Sequence, residues 1–231
     1  MLQLRRSRDR GHSRHAWLDS RHSFSFADYY DPEFMGFSVL RVINDDEVAP
    51  GAGFPPHSHH DMEIISYVLQ GSIEHRDSMG HVSRLNAGEA QRMSAGSGVT
   101  HSEYNPSDSE PLRFLQIWIE PQRSGITPSY EQRPVAGQTS GGIELLVSPD
   151  AREGSMKIHQ DASLFVARLV AGDVVEHALA TNRRAYLHVV RGTVRVSEQP
   201  LTSGDAVALQ DEACVDVVAT ADAEVLLFDL P

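Results

Sequence analysis

Two short pairs, His57-Ser58-His59 and His101-Ser102-Glu103, carry residue types that bind metals. Each pair has the spacing i, i+2, which on a β-strand puts both side chains on one face. Two such strands side by side would bring three imidazoles and a carboxylate to one point. Nitrogen and oxygen donors without thiolate suit a divalent first-row transition metal. Gly51-Ala52-Gly53-Phe54-Pro55-Pro56 leads into the first pair and Ala95-Gly96-Ser97-Gly98 into the second, so each pair follows turn chemistry. With 12 histidines in the chain, one His-x-His could be chance surface composition. Two ligand-type pairs, each behind a glycine-rich turn, argue for a site.

The elements that must position these pairs are strands. Phe37–Ile43, Glu63–Leu69, Phe114–Ile119, Ala185–Val190 and Ala223–Phe228 are short runs rich in β-branched and aromatic residues. Gly, Pro, Asn and Asp punctuate them closely, which reads as an all-β sandwich or barrel. No long amphipathic helix is expected, only a turn of helix around Tyr29 to Phe34. Phe24, Phe26, Tyr29, Tyr30, Phe34, Met35 and Phe37 form an aromatic stretch that serves the core or lines an apolar pocket for a planar molecule.

An internal repeat divides the chain. Tyr67-Val68-Leu69-Gln70-Gly71-Ser72-Ile73-Glu74 is echoed by His188-Val189-Val190-Arg191-Gly192-Thr193-Val194-Arg195. The turn at Gly88 has its counterpart at Gly204. The repeat implies domains at 1–132 and 142–231, with the Gly-, Pro-, Thr- and Ser-containing segment 133–141 as linker. An ungapped count places Ala178, Ala180, Val217 and Ala219 where the first copy has its ligands, so the second copy is expected to hold no metal.

Composition narrows the function. The formal net charge of −12 argues against general affinity for nucleic-acid phosphates. Arg5, Arg6, Arg8 and Arg10 are a local exception and read as a solvated edge. One cysteine, Cys214, leaves no intramolecular disulfide and suits a reducing compartment. Its strand-like context reads as a small buried hydrophobe. The N-terminus lacks an apolar signal core, and no run reaches the roughly twenty apolar residues of a membrane span. The expected location is the cytoplasm. His60, His75 and His81 read as solvated, His12, His15 and His22 as local polar contacts or pocket rim, and His159 and His188 as packed or hydrogen-bonded.

The pattern Gly51-(five residues)-His57-x-His59-(three)-Glu63 resembles the first motif of the cupin superfamily. Gly88-(seven)-Gly96-(four)-His101-(three)-Asn105 resembles the second, with Ser94 where a proline is usual. Gly11–Ser20, Ser23–Pro32 and Leu146–Ser155 are similar to pirin and its bacterial relatives, which include quercetin 2,3-dioxygenases. The resemblance covers nearly the whole chain. It implies a bicupin of two jelly-roll β-barrels, with one metal in the N-terminal barrel and a degenerate C-terminal barrel. Strand parity allows both Glu63 and Glu103 to face inward. The resemblance selects Glu103 as ligand, beside His57, His59 and His101, and leaves Glu63 to support them by hydrogen bonds.

The implied activity is oxidative opening of the central flavonol ring by O2, with release of carbon monoxide and a depside ester. Glu103 would act as general base. Fe(II) is the expected metal; Mn, Co, Ni, Cu and Zn also suit the donors. The partners are then a planar flavonol and O2. Two alternatives share the same ligands: a non-enzymatic metal-binding regulator acting through a protein partner, and a cupin acting on another small metabolite. Fold does not decide among them.

Overall fold

The computed structural model describes residues 1–135 and 142–231. Within them the regular structure is strand, apart from single 3-10 turns at Ser7–Asp9 and Arg152–Gly154. The turn of helix expected at Tyr29–Phe34 is absent. Asp31 instead accepts the Glu33 N–H ahead of which Pro32 stands, and the Ser25 N–H closes the loop on the Phe34 carbonyl. An Asp-Pro step favours this kind of turn over helix.

The chain forms two units. One comprises Gly11–Val135 and Met156–Gln160; the other holds the described residues of Met1–Arg10, Ala136–Ser155 and Asp161–Pro231. The first has a large antiparallel sheet in the order Ser129–Pro134, Glu89–Ser94, Glu63–Gln70, Leu112–Ile119, Leu40–Val48, Leu18–His22, Gly11–Arg14. A four-stranded sheet runs Gly53–His59, Val99–Tyr104, Ser72–Asp77, Val82–Asn86. Val48, Val68, Leu112 and Phe114 from the large sheet pack on Ile73 and Leu85 from the small one. This is a jelly-roll sandwich closed by apolar burial between its faces.

The second unit repeats the plan. Leu2–Arg5, Ala206–Leu209, Arg184–Arg191, Ala223–Leu230, Ser163–Leu169 and Ile143–Ser148 are neighbours in one sheet. Val174–Ala178, Cys214–Ala219, Thr193–Val196 and Gln199–Thr202 make the other. The repeat glycines hold equivalent turns: φ is +74° at Gly71 and +83° at Gly192, +85° at Gly88 and +81° at Gly204. A Cβ at Gly192 would lie 2.0 Å from the Asp222 carbonyl oxygen, so no side chain fits there.

Two boundary expectations and one surface reading change. Residues 1–10 belong to the second unit, because Leu2–Arg5 pairs with Ala206–Leu209. That position next to the repeat strand is filled in the first unit by Ser129–Pro134 on Glu89–Ser94. Arg5 and Arg10 are buried and Arg6 pairs with Asp205 at 3.1 Å, so of the four arginines Arg8 is the one that is solvated as expected. Of the expected linker 133–141, Arg133 and Pro134 end a strand, and 136–141 lie outside the described residues.

Candidate metal centre and its cavity

The strand Gly53–His59 lies at the edge of the small sheet, which is where Pro55 and Pro56, lacking N–H donors, are tolerated. It pairs with Val99–Tyr104 so that His57 stands opposite His101. A bulge between His101 and Glu103 then sets Glu103 opposite Phe54. Gly53 is needed there, since a Cβ would sit 2.4 Å from the Glu103 carbonyl oxygen.

The three histidines converge. Ring centroids are 4.5 Å apart for His57 and His101, 4.8 Å for His57 and His59, and 5.0 Å for His59 and His101. One nitrogen from each lies within 4.8 Å of the others. The His57 Nδ1 is 2.8 Å from the Pro55 carbonyl oxygen. A carbonyl only accepts, so Nδ1 carries a proton and Nε2 is the nitrogen left for a metal. Burial, then the His101 and His57 imidazoles, lower the His59 pKa from 6.5 to about 4. Burial, then His57 and His75, take His101 down to about 3. The buried His101 has no hydrogen-bond partner at either ring nitrogen. Converging imidazoles, two of them held neutral, with an orphaned buried nitrogen fit a divalent metal.

Glu103 falls in a second triad, with His75 and His101. It is buried and accepts three hydrogen bonds. Ser66 Oγ (2.8 Å) and Gln91 Nε2 (2.7 Å) donate to Oε1, and Gln116 Nε2 (3.0 Å) donates to Oε2. These donors come from three strands of the large sheet and fix the carboxylate against the histidines. His75 is fully buried rather than solvated, 3.2 Å from Asp77 Oδ2 and stacked on Tyr130. Asp77 also bonds His81, which stacks on Tyr130 too. His60 is exposed as expected.

Glu63 is buried, but on the face of its strand opposite Ser66 and Val68, and supports none of the three histidines. Ser94 Oγ donates to its Oε2 at 2.6 Å, and the His159 N–H and Nδ1 meet its Oε1 at 3.2 and 3.1 Å. Parity misled here because the chain turns at Asp61 (φ +49°) and changes sheet between His59 and Glu63. Ser94, in the place of the usual cupin proline, is what holds this carboxylate.

A cavity of about 370 Å³ opens beside His57 and His59. Phe26, Phe54 and Trp118 give it apolar walls, and Ser20, Asn44, Asp46 and Gln116 give it polar ones. His101 and Glu103 are not part of its lining. The volume falls in the range of roughly 300–1,000 Å³ that holds small molecules. Phe26 is thus the member of the aromatic stretch that lines the cavity, while Phe24 and Phe37 are core and Tyr30 and Met35 are exposed. Of the rim candidates, His15 lines the cavity, as does His22, whose Nδ1 contacts Asn44 Oδ1 at 2.8 Å.

In the second unit the first ligand-equivalent pair lies three residues before the expected Ala178 and Ala180, at Val175 and His177. Val175 pairs with Val217 and His177 with Val215, while Ala178 ends its strand and Ala180 lies beyond it. Val175, Val215 and Val217 are buried in an apolar cluster, and His177 is bound to Asp229 at 2.9 Å. Cys214 is half-buried, not buried. Its thiol donates to Asp216, and burial together with that carboxylate raises its pKa, which disfavours the thiolate.

Known proteins match this architecture along its length. Residues 3–119 match the Pirin family, and residues 145–230 match the quercetinase C-terminal cupin domain. The chain belongs to the pirin family of cupins. It is 52% identical over 231 residues to the quercetin 2,3-dioxygenase of Escherichia coli K12, covering 100% of this chain and 99% of that one. It is 46% identical over 234 residues to a putative quercetin 2,3-dioxygenase of Pasteurella multocida, covering all of both chains. The bacterial pirin YhhW of E. coli, solved in complex with nickel(II), superposes with a TM-score of 0.97 at 52% identity, over 100% of this chain and 99% of that one. No helix among the described residues is long and apolar enough to cross a membrane.

Proposed function

We propose that the protein is a metal-dependent dioxygenase that opens the central ring of flavonols such as quercetin with O2. The observation that carries the reading is the convergence of His57, His59 and His101, the last two held neutral, with His57 and His59 on the wall of an aromatic cavity. The quercetin 2,3-dioxygenase name of the E. coli relative supports the substrate class. His57, His59, His101 and Glu103 are the residues we assign to the metal. Fe(II) is our choice of ion, because a nitrogen–oxygen set with open positions suits it; the nickel in YhhW supports a divalent ion at this fold. When bound, the metal supplies a Lewis acid that lowers the pKa of the flavonol 3-hydroxyl.

The chain's own residues do the rest. Phe26, Phe54 and Trp118 hold the planar rings and exclude water. Gln116 lines the cavity and also donates to Glu103 Oε2, a link between cavity and carboxylate that supports a role for Glu103 at the reacting end. Glu103 accepts the 3-hydroxyl proton at Oε2, the oxygen with one donor, while Ser66 and Gln91 fix Oε1. The flavonolate is the electron-rich species that O2 oxidises. Both oxygen atoms enter the products, and one ring carbon leaves as carbon monoxide.

The test is O2 uptake by metal-loaded protein with quercetin and with luteolin, which lacks the 3-hydroxyl. Quercetin is consumed and luteolin is inert. Equal rates on both would refute the flavonolate route. No turnover of either would point instead to a regulatory metal-binding protein.

A further inference from the structure

The cavity holds an acid that the reaction above does not use. Asp46, on the strand Leu40–Val48, is 2% exposed and lines the cavity together with His57 and His59. Ser20 Oγ, across the strand pair, donates to one carboxyl oxygen. No cation among the described residues pairs with it. The nearby guanidinium of Arg113 is spent on Asp45, at 2.9 Å from Nε and 2.8 Å from Nη2. A carboxyl buried without a cation is costly, and such groups gather at functional sites.

The polar groups around Asp46 are largely satisfied by one another. His22 joins Asn44 Oδ1 at 2.8 Å and Ser13 Oγ at 3.0 Å, which occupies both ring nitrogens. Gln116 Nε2 is committed to Glu103. A carboxyl offers about four lone-pair sites, and Ser20 takes one. Asp46 therefore has the acceptor capacity that this wall can offer to a guest. The other walls are Phe26, Phe54 and Trp118, and the buried Trp118 Nε1 has no partner either.

We propose that Asp46 is a specificity-determining residue: its carboxyl accepts a hydrogen bond from a hydroxyl that the substrate carries in addition to its 3-hydroxyl. The site then selects polyhydroxylated flavonols over 3-hydroxyflavone, whose single hydroxyl is taken at the histidines. Burial pushes the Asp46 carboxyl up to about 7, so near neutrality it is present both as carboxylate and as acid, and each form has an oxygen that accepts from a phenol. The proposal rests on the flavonol reading, and its test separates the two.

Binding of quercetin and of 3-hydroxyflavone to metal-loaded protein is measured by calorimetry under nitrogen, where no O2 is consumed. Wild type, Asp46→Leu and Asp46→Asn are compared at equal metal content. Asp46→Leu weakens quercetin by about 10- to 100-fold, the value of one hydrogen bond to a charged group, and leaves 3-hydroxyflavone unchanged. Asp46→Asn, which keeps an acceptor oxygen, restores part of the preference. Equal weakening of both ligands, or no preference in wild type, overturns the assignment. If quercetin binds with the preference but is not consumed in air, the dioxygenase reading falls and Asp46 stands. If Asp46→Leu consumes quercetin and binds it like wild type, Asp46 falls and the reading stands.

Discussion

Asp46→Asn should make the protein more stable at alkaline pH, by an amount that grows with pH. Burial is the main cause that raises the Asp46 pKa from 3.8 to about 7; the Ser20 hydrogen bond opposes it, and Asp45 and Glu103 add to it. The remaining titratable groups on the cavity wall are His15, His22, Asp28, His57 and His59. The folded protein thus keeps a proton that the unfolded chain releases near pH 3.8. The stabilisation is complete below pH 3.8 and is lost as pH rises through about 7. At about 1.4 kcal/mol for each pH unit, the interval from 3.8 to about 7 is worth about 4 kcal/mol. Integrating the same linkage, about 3 kcal/mol of it falls between roughly pH 5 and pH 8. Asparagine keeps the shape and an oxygen for Ser20 but has no proton to lose. Urea unfolding of metal-free protein in chelator, followed by fluorescence, reports on the right unit, since both tryptophans, Trp17 and Trp118, lie in it. Differencing the variant against wild type cancels Asp77, Asp205 and Asp229, whose lowered pKa values act in the opposite sense. Parallel stability curves for the two proteins across this range would refute the reasoning, because Asp46 would then be ionised in the folded state throughout.

His101→Ala should cut metal content at least about tenfold by elemental mass spectrometry, because it removes the histidine common to both triads; retention of full occupancy would contradict the assigned site. Glu103→Gln should abolish flavonol turnover, whereas Glu63→Gln should retain metal and most activity, since Glu63 holds Ser94 and His159 instead of the three histidines. The reverse ranking of these two variants in the oxygen-electrode assay would show that the wrong carboxylate has been assigned.

The convergence of His57, His59 and His101 was legible because strand side chains alternate with period two and the glycine turns fixed where each pair begins. The two-unit plan was legible for the same reason: Gly71 and Gly192, Gly88 and Gly204 mark turns that need positive φ. What failed were inferences carried across a break in a strand. Parity did not survive the turn at Asp61, so Glu63 was given histidines it does not touch. Ungapped counting did not survive the loop before Val174–Ala178, so Ala178 and Ala180 stood in for Val175 and His177. Contacts distant in sequence were silent. Nothing local announces that Ser66, Gln91 and Gln116 meet on Glu103, or that residues 1–10 complete the other unit's sheet. His75 and Asp46 did leave a signal. Each is a polar residue at a strand position facing inward, His75 opposite Glu103 and Asp46 opposite Ser20. A strand position that pattern assigns to the core and sequence fills with an ionisable group is where chemistry is to be sought.

The two units show what such chemistry demands of a barrel. They share strand order, yet where the second has Val175, His177 and Val217 the first has His57, His59 and His101, and His177 is bound to Asp229. The valines need nothing further; they pack into one apolar cluster. The first unit's polar interior has to be supported group by group. His59 and His101 are held neutral against a solution value of 6.5, Glu103 needs three donors from the facing sheet, and Asp46 keeps a proton near neutral pH. Even so, His101 is left with both nitrogens unpaired. An interior that remains unsatisfied after this much support is complementary to something other than the protein itself. The donor set suits a divalent cation at the histidines, and the cavity beside it, with its aromatic walls and spare acceptor at Asp46, has the chemistry that the proposed hydroxylated planar ligand requires.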